Sequence, residues 1–133
     1  MENMVDKIAW IHIVDKKILS TRSKGKEVYY IPGGKRENNE SDKECLMREI
    51  KEELCVDLIP DSFEYIGQFE AQAHGQANGI VVRMTCYSAN YRGTITPDSE
   101  IAEMVWFTHS DKYKSSPVDQ IIFDWLLEKQ LIA

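Results

Sequence analysis

Residues 32–56 read PGGKRENNESDKECLMREIKEELCV. Ser41 followed three residues later by Glu44 is a capping box, which starts a helix at Ser41. Wound at 3.6 residues per turn from Glu49 as origin, Glu52 falls at about 300° and Glu53 at about 40°, so the three carboxylates share one side. Met47, Ile50 and Leu54 form a neighbouring apolar stripe at about 100–160°. Arg48 stands four residues before Glu52, within reach of a helix-surface ion pair. Like charges lined up on one helix face oppose each other, so either water solvates them or something positive sits among them. Convergent carboxylates suit Mg²⁺, a hard ion that takes oxygen ligands and keeps several waters. Gly33-Gly34 ahead of the helix supplies backbone that turns sharply and approaches a ligand closely. Glu37 and Glu40 lie on the loop leading back to the helix, where they can reach the same cation.

Outward from this stretch, alternation predicts a strand over Lys7–Val14 with both faces partly covered, then a turn at Asp15-Lys16-Lys17 and a strand Ile18–Arg22. Val28–Ile31 is a β-prone segment stopped by Pro32. Beyond the helix, strands are expected over Phe63–Ala73 and Ile80–Tyr91, with a turn signal at Asn78-Gly79, and a short one over Met104–Phe107. Ser115 or Ser116 can cap a last helix with Pro117 in its first turn and Ile121, Ile122, Trp125, Leu126 and Leu127 as its apolar stripe. Strands on both sides of one helix, closed by another, give a mixed sheet between helical layers. His12 reads as a packed strand residue, His109 as a turn residue, and Trp10, Trp106 and Trp125 as core.

The chain has 133 residues, enough for one domain with a real core, and a formal net charge of −6. That charge argues against binding a nucleic-acid polymer, which needs a basic surface, but leaves room for a small anion bridged by a metal. No apolar run approaches membrane-spanning length, and the start of the chain lacks a signal-peptide pattern. Three cysteines without Cys-x-x-Cys spacing read as reduced thiols of a cytoplasmic protein.

Gly34, five residues, Glu40, seven residues, Arg48-Glu49-Ile50, one residue, then Glu52-Glu53 resembles the signature of the Nudix hydrolases. The signature closes on a glycine between two aliphatic residues; here Cys55 takes its place between Leu54 and Val56. The resemblance implies a single domain over residues 1–133, an α/β/α sandwich with a mixed central β-sheet. It implies hydrolysis of a diphosphate joined to a nucleoside or similar group, with Mg²⁺, or Mn²⁺, as cofactor. Carried over by position, Glu49, Glu52 and Glu53 are metal ligands, supported by Glu40 and the Gly33 carbonyl. Arg48 holds a helix carboxylate in place, and Gly34 faces the substrate. A catalytic base comes from Glu49 or Glu53 on the helix, or from Glu100 on the loop before Met104–Phe107, with Glu103 as its competitor. Glycine at position 55 would supply a left-handed helix end, a conformation that costs a side chain about 1–2 kcal/mol.

Further substrate contacts are assigned to Arg22 near the glycine loop, to His74 in the loop between two strands, and to Asp119 at the start of the last helix. The last of these resembles the place where some Nudix enzymes read a base edge. Surface solvation explains Arg22 equally, and charge complementarity at a helix start explains Asp119. The compact chain favours a nucleoside triphosphate as substrate, in the manner of the MutT-like group, cleaved to monophosphate and pyrophosphate by a monomer or homodimer. The alternatives are another nucleoside diphosphate-linked compound, or a non-catalytic nucleotide sensor.

Overall fold

The chain enters a sheet at once. In the computed structural model, which describes residues 4–72 and 79–133, strand β1 (Met4–Trp10) is followed by β2 (Ile13–Val14) and β3 (Lys17–Ser23). The strand predicted over Lys7–Val14 is therefore two. It breaks because Trp10 N–H donates to Pro32 O and Ile11 N–H to Tyr87 O, after which Leu19 N–H takes His12 O, each at 2.9 Å. The chain thus steps from one sheet to another. Asp15 and Lys16 make the expected turn, both at positive φ (52° and 62°).

Only Tyr29–Tyr30 (β4) of the β-prone Val28–Ile31 segment pairs, with Thr21 and Arg22 of β3. Strand β5 (Gly33–Lys35) leads to helix α1 (Asp42–Leu54), followed by β6 (Asp57–Leu58), β7 (Glu64–Gln72), β8 (Val81–Ser88), β9 (Tyr91–Arg92), β10 (Ile101–Phe107) and helix α2 (Pro117–Glu128). Short 3₁₀ helices occupy Pro60–Ser62 and His109–Lys114, the second containing the turn residue His109. Tyr91 leaves the strand predicted for it and, with Arg92, pairs with Asp57 and Leu58. The Asn78 half of the predicted Asn78-Gly79 turn lies outside the described residues.

One sheet runs β5-β1-β8-β7, mixed because β1 and β8 are parallel while β1 pairs β5, and β8 pairs β7, antiparallel. A second runs β10-β3-β2, with β4 on β3, and β6 and β9 form a third, of two strands. Successive side chains of a strand point to opposite faces, and here they serve two cores. Ile8 and Trp10 pack with Leu46, Ile50 and Leu54 of α1; Ala9 and Ile11 pack with Val118, Ile122, Phe123 and Leu126 of α2. That is the expected sandwich, a mixed sheet between helices. Truncating one fully buried anchor such as Ile50 to Ala should cost about 2–5 kcal/mol.

Three details of packing depart from the apolar pattern. Ile121 and Leu127 of the predicted α2 stripe are 42% and 39% exposed, and Phe123 takes the core position instead. Trp106 is 37% exposed, unlike Trp10. Ser116 is the α2 N-cap by backbone geometry, yet its side chain makes no capping hydrogen bond; Pro117 fills the first turn. His12 is packed as expected, its ring stacked on Trp10 at 4.5 Å. Cys45, Cys55 and Cys86 are free thiols, and among the described residues no helix is long and apolar enough to cross a membrane.

Candidate active site

Helix α1 is fixed at both ends. Ser41 Oγ accepts the Glu44 N–H at 3.1 Å and Glu44 Oε1 accepts the Ser41 N–H at 2.9 Å, the complete capping box. At the other end Cys55 stands in the left-handed region (φ 63°, ψ 24°) and donates its N–H to Lys51 O at 3.1 Å. Two of the last carbonyls meet a loop: Leu54 O accepts Thr96 N–H and Glu53 O accepts Asp98 N–H, both at 2.9 Å. Those contacts seat the segment before Glu100 on the end of the acidic helix.

Both glycines ahead of the helix are required by space. A Cβ on Gly33, whose φ is +148°, would lie 2.0 Å from Ile8 O, so only glycine lets β5 lie this close to β1. A Cβ on Gly34 would lie 2.4 Å from the Glu49 carboxyl carbon. Glu49 therefore fills the space that a side chain at 34 would need.

Arg48 sits in the middle of the acids. Its Nε and Nη2 grip both oxygens of Glu40 at 2.7 and 2.9 Å. Its Nη1 reaches Glu49 Oε2 at 2.9 Å and Glu52 Oε1 at 3.4 Å, and Nη2 donates to Lys35 O at 3.2 Å. The guanidinium hydrogen bonds hold the Glu40 carboxyl down at about 2. Glu53 behaves oppositely. Burial and the neighbouring Glu49, to which it is hydrogen-bonded, push its carboxyl well above the usual range, while the Gly33 N–H donates to it.

The acids of the helix thus divide. Glu49 and Glu53 form a close pair beside the glycine loop, whereas Glu52, 49% exposed, leans on Arg48 at the solvent side. Among the described residues no three His, Cys, Asp or Glu side chains stand close enough to hold a metal ion. The Glu49–Glu53 pair nevertheless fits one. Two carboxyls that share space, one of them driven towards its protonated form, present hard oxygen donors where a cation would replace the proton. Arg48 keeps Glu40 and Glu52 within the same cluster.

Two hollows meet at this place. Glu53, Gly33 and Gly34 line a small one of about 190 Å³, together with Lys7, Thr21 and Tyr30. Lys7, Tyr30 and Met84 also line a larger cavity of about 600 Å³, which extends to Lys26, Lys35 and the α2 start at Ser116–Val118. Burial draws the Lys7 ammonium below its ordinary range, against the opposing field of Asp119. Nothing in the sequence singles Lys7 out; only the register that sets it beside Lys35 and the two hollows does so.

The other sequence candidates are scattered around this centre. Asp119 is fully buried; its Oδ2 accepts the Ile31 N–H at 3.0 Å, its Oδ1 has no partner, and burial raises its carboxyl to about 7. It stands behind the cavity wall made by Ser116–Val118 rather than on it. Arg22 donates to Glu103 Oε1 at 3.4 Å and to Lys26 O at 2.9 Å, and Tyr29 OH also donates to Glu103. Glu100 is exposed in the turn before β10, its carbonyl accepting Lys24 N–H at 2.7 Å. Strand β10 begins at Ile101 rather than at Met104, so Glu103 lies within it. His74 falls outside the described residues.

A sequence model described as the NUDIX domain matches residues 6–126. No curated protein matches the chain. Among solved structures, the solution structure of the E. coli ORF135 protein superposes with a TM-score of 0.75 at 23% identity, covering 96% of this chain and 91% of that one. MutT protein from Methanosarcina mazei Go1 gives 0.74 at 16% identity over 96% and 95%. A UDP-X diphosphatase gives 0.67 at 17% identity over 98% of this chain and 65% of its own.

Proposed function

The chain belongs to the Nudix family, and from that premise we propose that it is a Mg²⁺-dependent pyrophosphohydrolase that converts a nucleoside triphosphate to its monophosphate and pyrophosphate. The observation that carries this reading is the close Glu49–Glu53 pair, whose Glu53 lines a small hollow that shares Lys7, Tyr30 and Met84 with a larger cavity. The first suits a metal-bound diphosphate; the second suits the organic group attached to it.

Glu49 and Glu53 would hold the ion, with Glu52 and Glu40 close by and the Gly33 backbone at the edge. When bound, the ion neutralises phosphate oxygens, lowers the pKa of an attacking water and stabilises the leaving oxygen. Arg48 positions the acids through its hydrogen bonds to Glu40 and Glu49. Gly34 leaves the Glu49 carboxylate its room. A carboxylate takes the proton of the water, either Glu49 or Glu53 from the helix or Glu100 from the loop. The enzyme would be a single-domain cytoplasmic monomer or homodimer, with Mn²⁺ able to replace Mg²⁺.

Hydrolysis of another nucleoside diphosphate-linked compound is the second reading. It is favoured by Lys7, Lys26 and Lys35 around the larger cavity, which suit a polar group beyond the diphosphate. A panel of nucleoside triphosphates and diphosphate-linked nucleotides with Mg²⁺, scored for pyrophosphate and for phosphate, tests both. Pyrophosphate with monophosphate supports the first reading, and Glu53→Gln should then lower the rate by ~100-fold or more. A fold that turns over nothing in the panel would be a sensor.

A further inference from the structure

Lys7 has no part in the hydrolytic step proposed above, and its placement is unfavourable. The antiparallel register of β1 and β5 sets it directly opposite Lys35, and like charges in that relation destabilise a ladder. It is also half-buried, whereas ammonium groups favour water. The acids whose fields reach it, Asp119, Glu53 and Glu49, form no salt bridge with it. Its contact is the face of the Tyr30 ring, 5.2 Å from Nζ to centroid.

Location gives this arrangement a sense. Lys7 lines both the small hollow that holds Glu53 and the larger cavity, so it stands at the passage between them. Among the described residues lining the larger cavity, Lys7, Lys26 and Lys35 stand with one acid, Glu27, in a chain whose net charge is −6. An anion lying across this passage would relieve the Lys7–Lys35 repulsion and supply a charged partner, which the half-buried ammonium lacks among the described residues. Arg22, the cation named from the sequence, is instead committed to Glu103 and Lys26 O.

We propose that Lys7 is a substrate-binding residue, whose ammonium donates to a phosphoryl oxygen of the diphosphate where it passes from the Glu53 hollow into the larger cavity. This rests on the phosphoanhydride reading given above. The competing role is structural, with Lys7 serving as counter-charge to the buried Asp119. The two roles predict opposite effects on the ligand-free protein. A binding lysine held against Lys35 is a liability without ligand, and a counter-charge is an asset.

The test compares wild type, Lys7→Met and Lys7→Arg in two measurements: the thermal midpoint without ligand, and calorimetric affinity for inorganic pyrophosphate in Mg²⁺. Lys7→Met should keep or raise the ligand-free midpoint and bind pyrophosphate about tenfold or more weakly, the scale of one lost charge-assisted hydrogen bond; Lys7→Arg should stay within a few-fold. Equal pyrophosphate affinity in wild type and Lys7→Met overturns the assignment. So does a Lys7→Met midpoint that falls while Lys7→Arg restores it, which identifies the counter-charge. A wild type that binds no pyrophosphate also overturns it. The phosphoanhydride reading itself stands or falls separately, on turnover of the nucleotide panel.

Discussion

Arg48 grips Glu40 through two parallel hydrogen bonds, Nε to Oε2 at 2.7 Å and Nη2 to Oε1 at 2.9 Å. The same guanidinium serves Glu49 and Glu52 and lies 3.6 Å from Glu37 Oε1, so one cation offsets four carboxylates. Arg48→Ala should lower stability by about 1–3 kcal/mol and leave those acids repelling one another. Added Mg²⁺ should recover part of the loss, because an ion that binds the folded state raises its midpoint. Thermal unfolding with and without Mg²⁺ checks both statements. The depressed Glu40 carboxyl contributes stability above the ordinary carboxylate range, which fades as pH falls towards 2.

Cys55 carries a side chain where the helix turns left-handed, at φ 63°. Cys55→Gly should stabilise the protein by about 0.5–1 kcal/mol: relief of the backbone strain outweighs the greater freedom of the unfolded glycine. Activity should stay within a few-fold. Urea denaturation decides it. A less stable variant would mean that the 3.5 Å contact between Cys55 Sγ and Asp98 Oδ2 outweighs the strain.

The two loop acids should separate in kinetics. Glu103 is tied to Tyr29 and Arg22 inside β10, while Glu100 projects from an exposed turn whose preceding residues are bonded to the end of α1. Glu100→Gln should lower kcat by about tenfold or more at saturating substrate and Mg²⁺, and Glu103→Gln much less. The reverse order would give the role to Glu103. Two near-silent variants would return the base to Glu49 or Glu53.

Asp119 should make stability fall as pH rises. Burial raises its folded-state carboxyl to about 7, above its unfolded value. The folded protein therefore keeps a proton that the unfolded chain has released, and stability is lost from about pH 4 up through 7. Asp119→Asn can still accept the Ile31 N–H but cannot ionise. Its thermal midpoint should drop less between pH 5 and pH 8 than that of wild type. Parallel slopes would show that the carboxyl titrates alike in both states.

What could be read from sequence is what depends on near neighbours along the chain. The capping box, the helix register and the Arg48–Glu52 pairing all follow from residues within one or two turns, whereas Cys55 in place of glycine left the left-handed helix end for the structure to show. The strands were legible in position but not in extent. Whether Ile11 and His12 continue β1 depends on Pro32 O and Tyr87 O, groups brought there by the fold. Lys7 is hidden for the same reason. A lysine early in a strand looks like a solvated edge until β5 pairs with it and lays Lys35 opposite. Asp119 looks like a helix-start charge because the groups it meets, the Ile31 N–H and the field of Lys7, are far away in sequence.

The two missing Cβ atoms at Gly33 and Gly34 bear on how such a chain can diverge. Any side chain at 33 collides with the Ile8 backbone, and any at 34 displaces the Glu49 carboxylate. Mutation can therefore explore little on the wall nearest the chemistry. The larger cavity is lined instead by Lys26–Val28 and Ser116–Val118, which are loop and helix start. Descendants of this chain would acquire new substrates there first, leaving the glycine side unchanged. Recombining the two parts between such descendants should carry substrate preference with the loop and helix start, while the hydrolytic step follows the glycines.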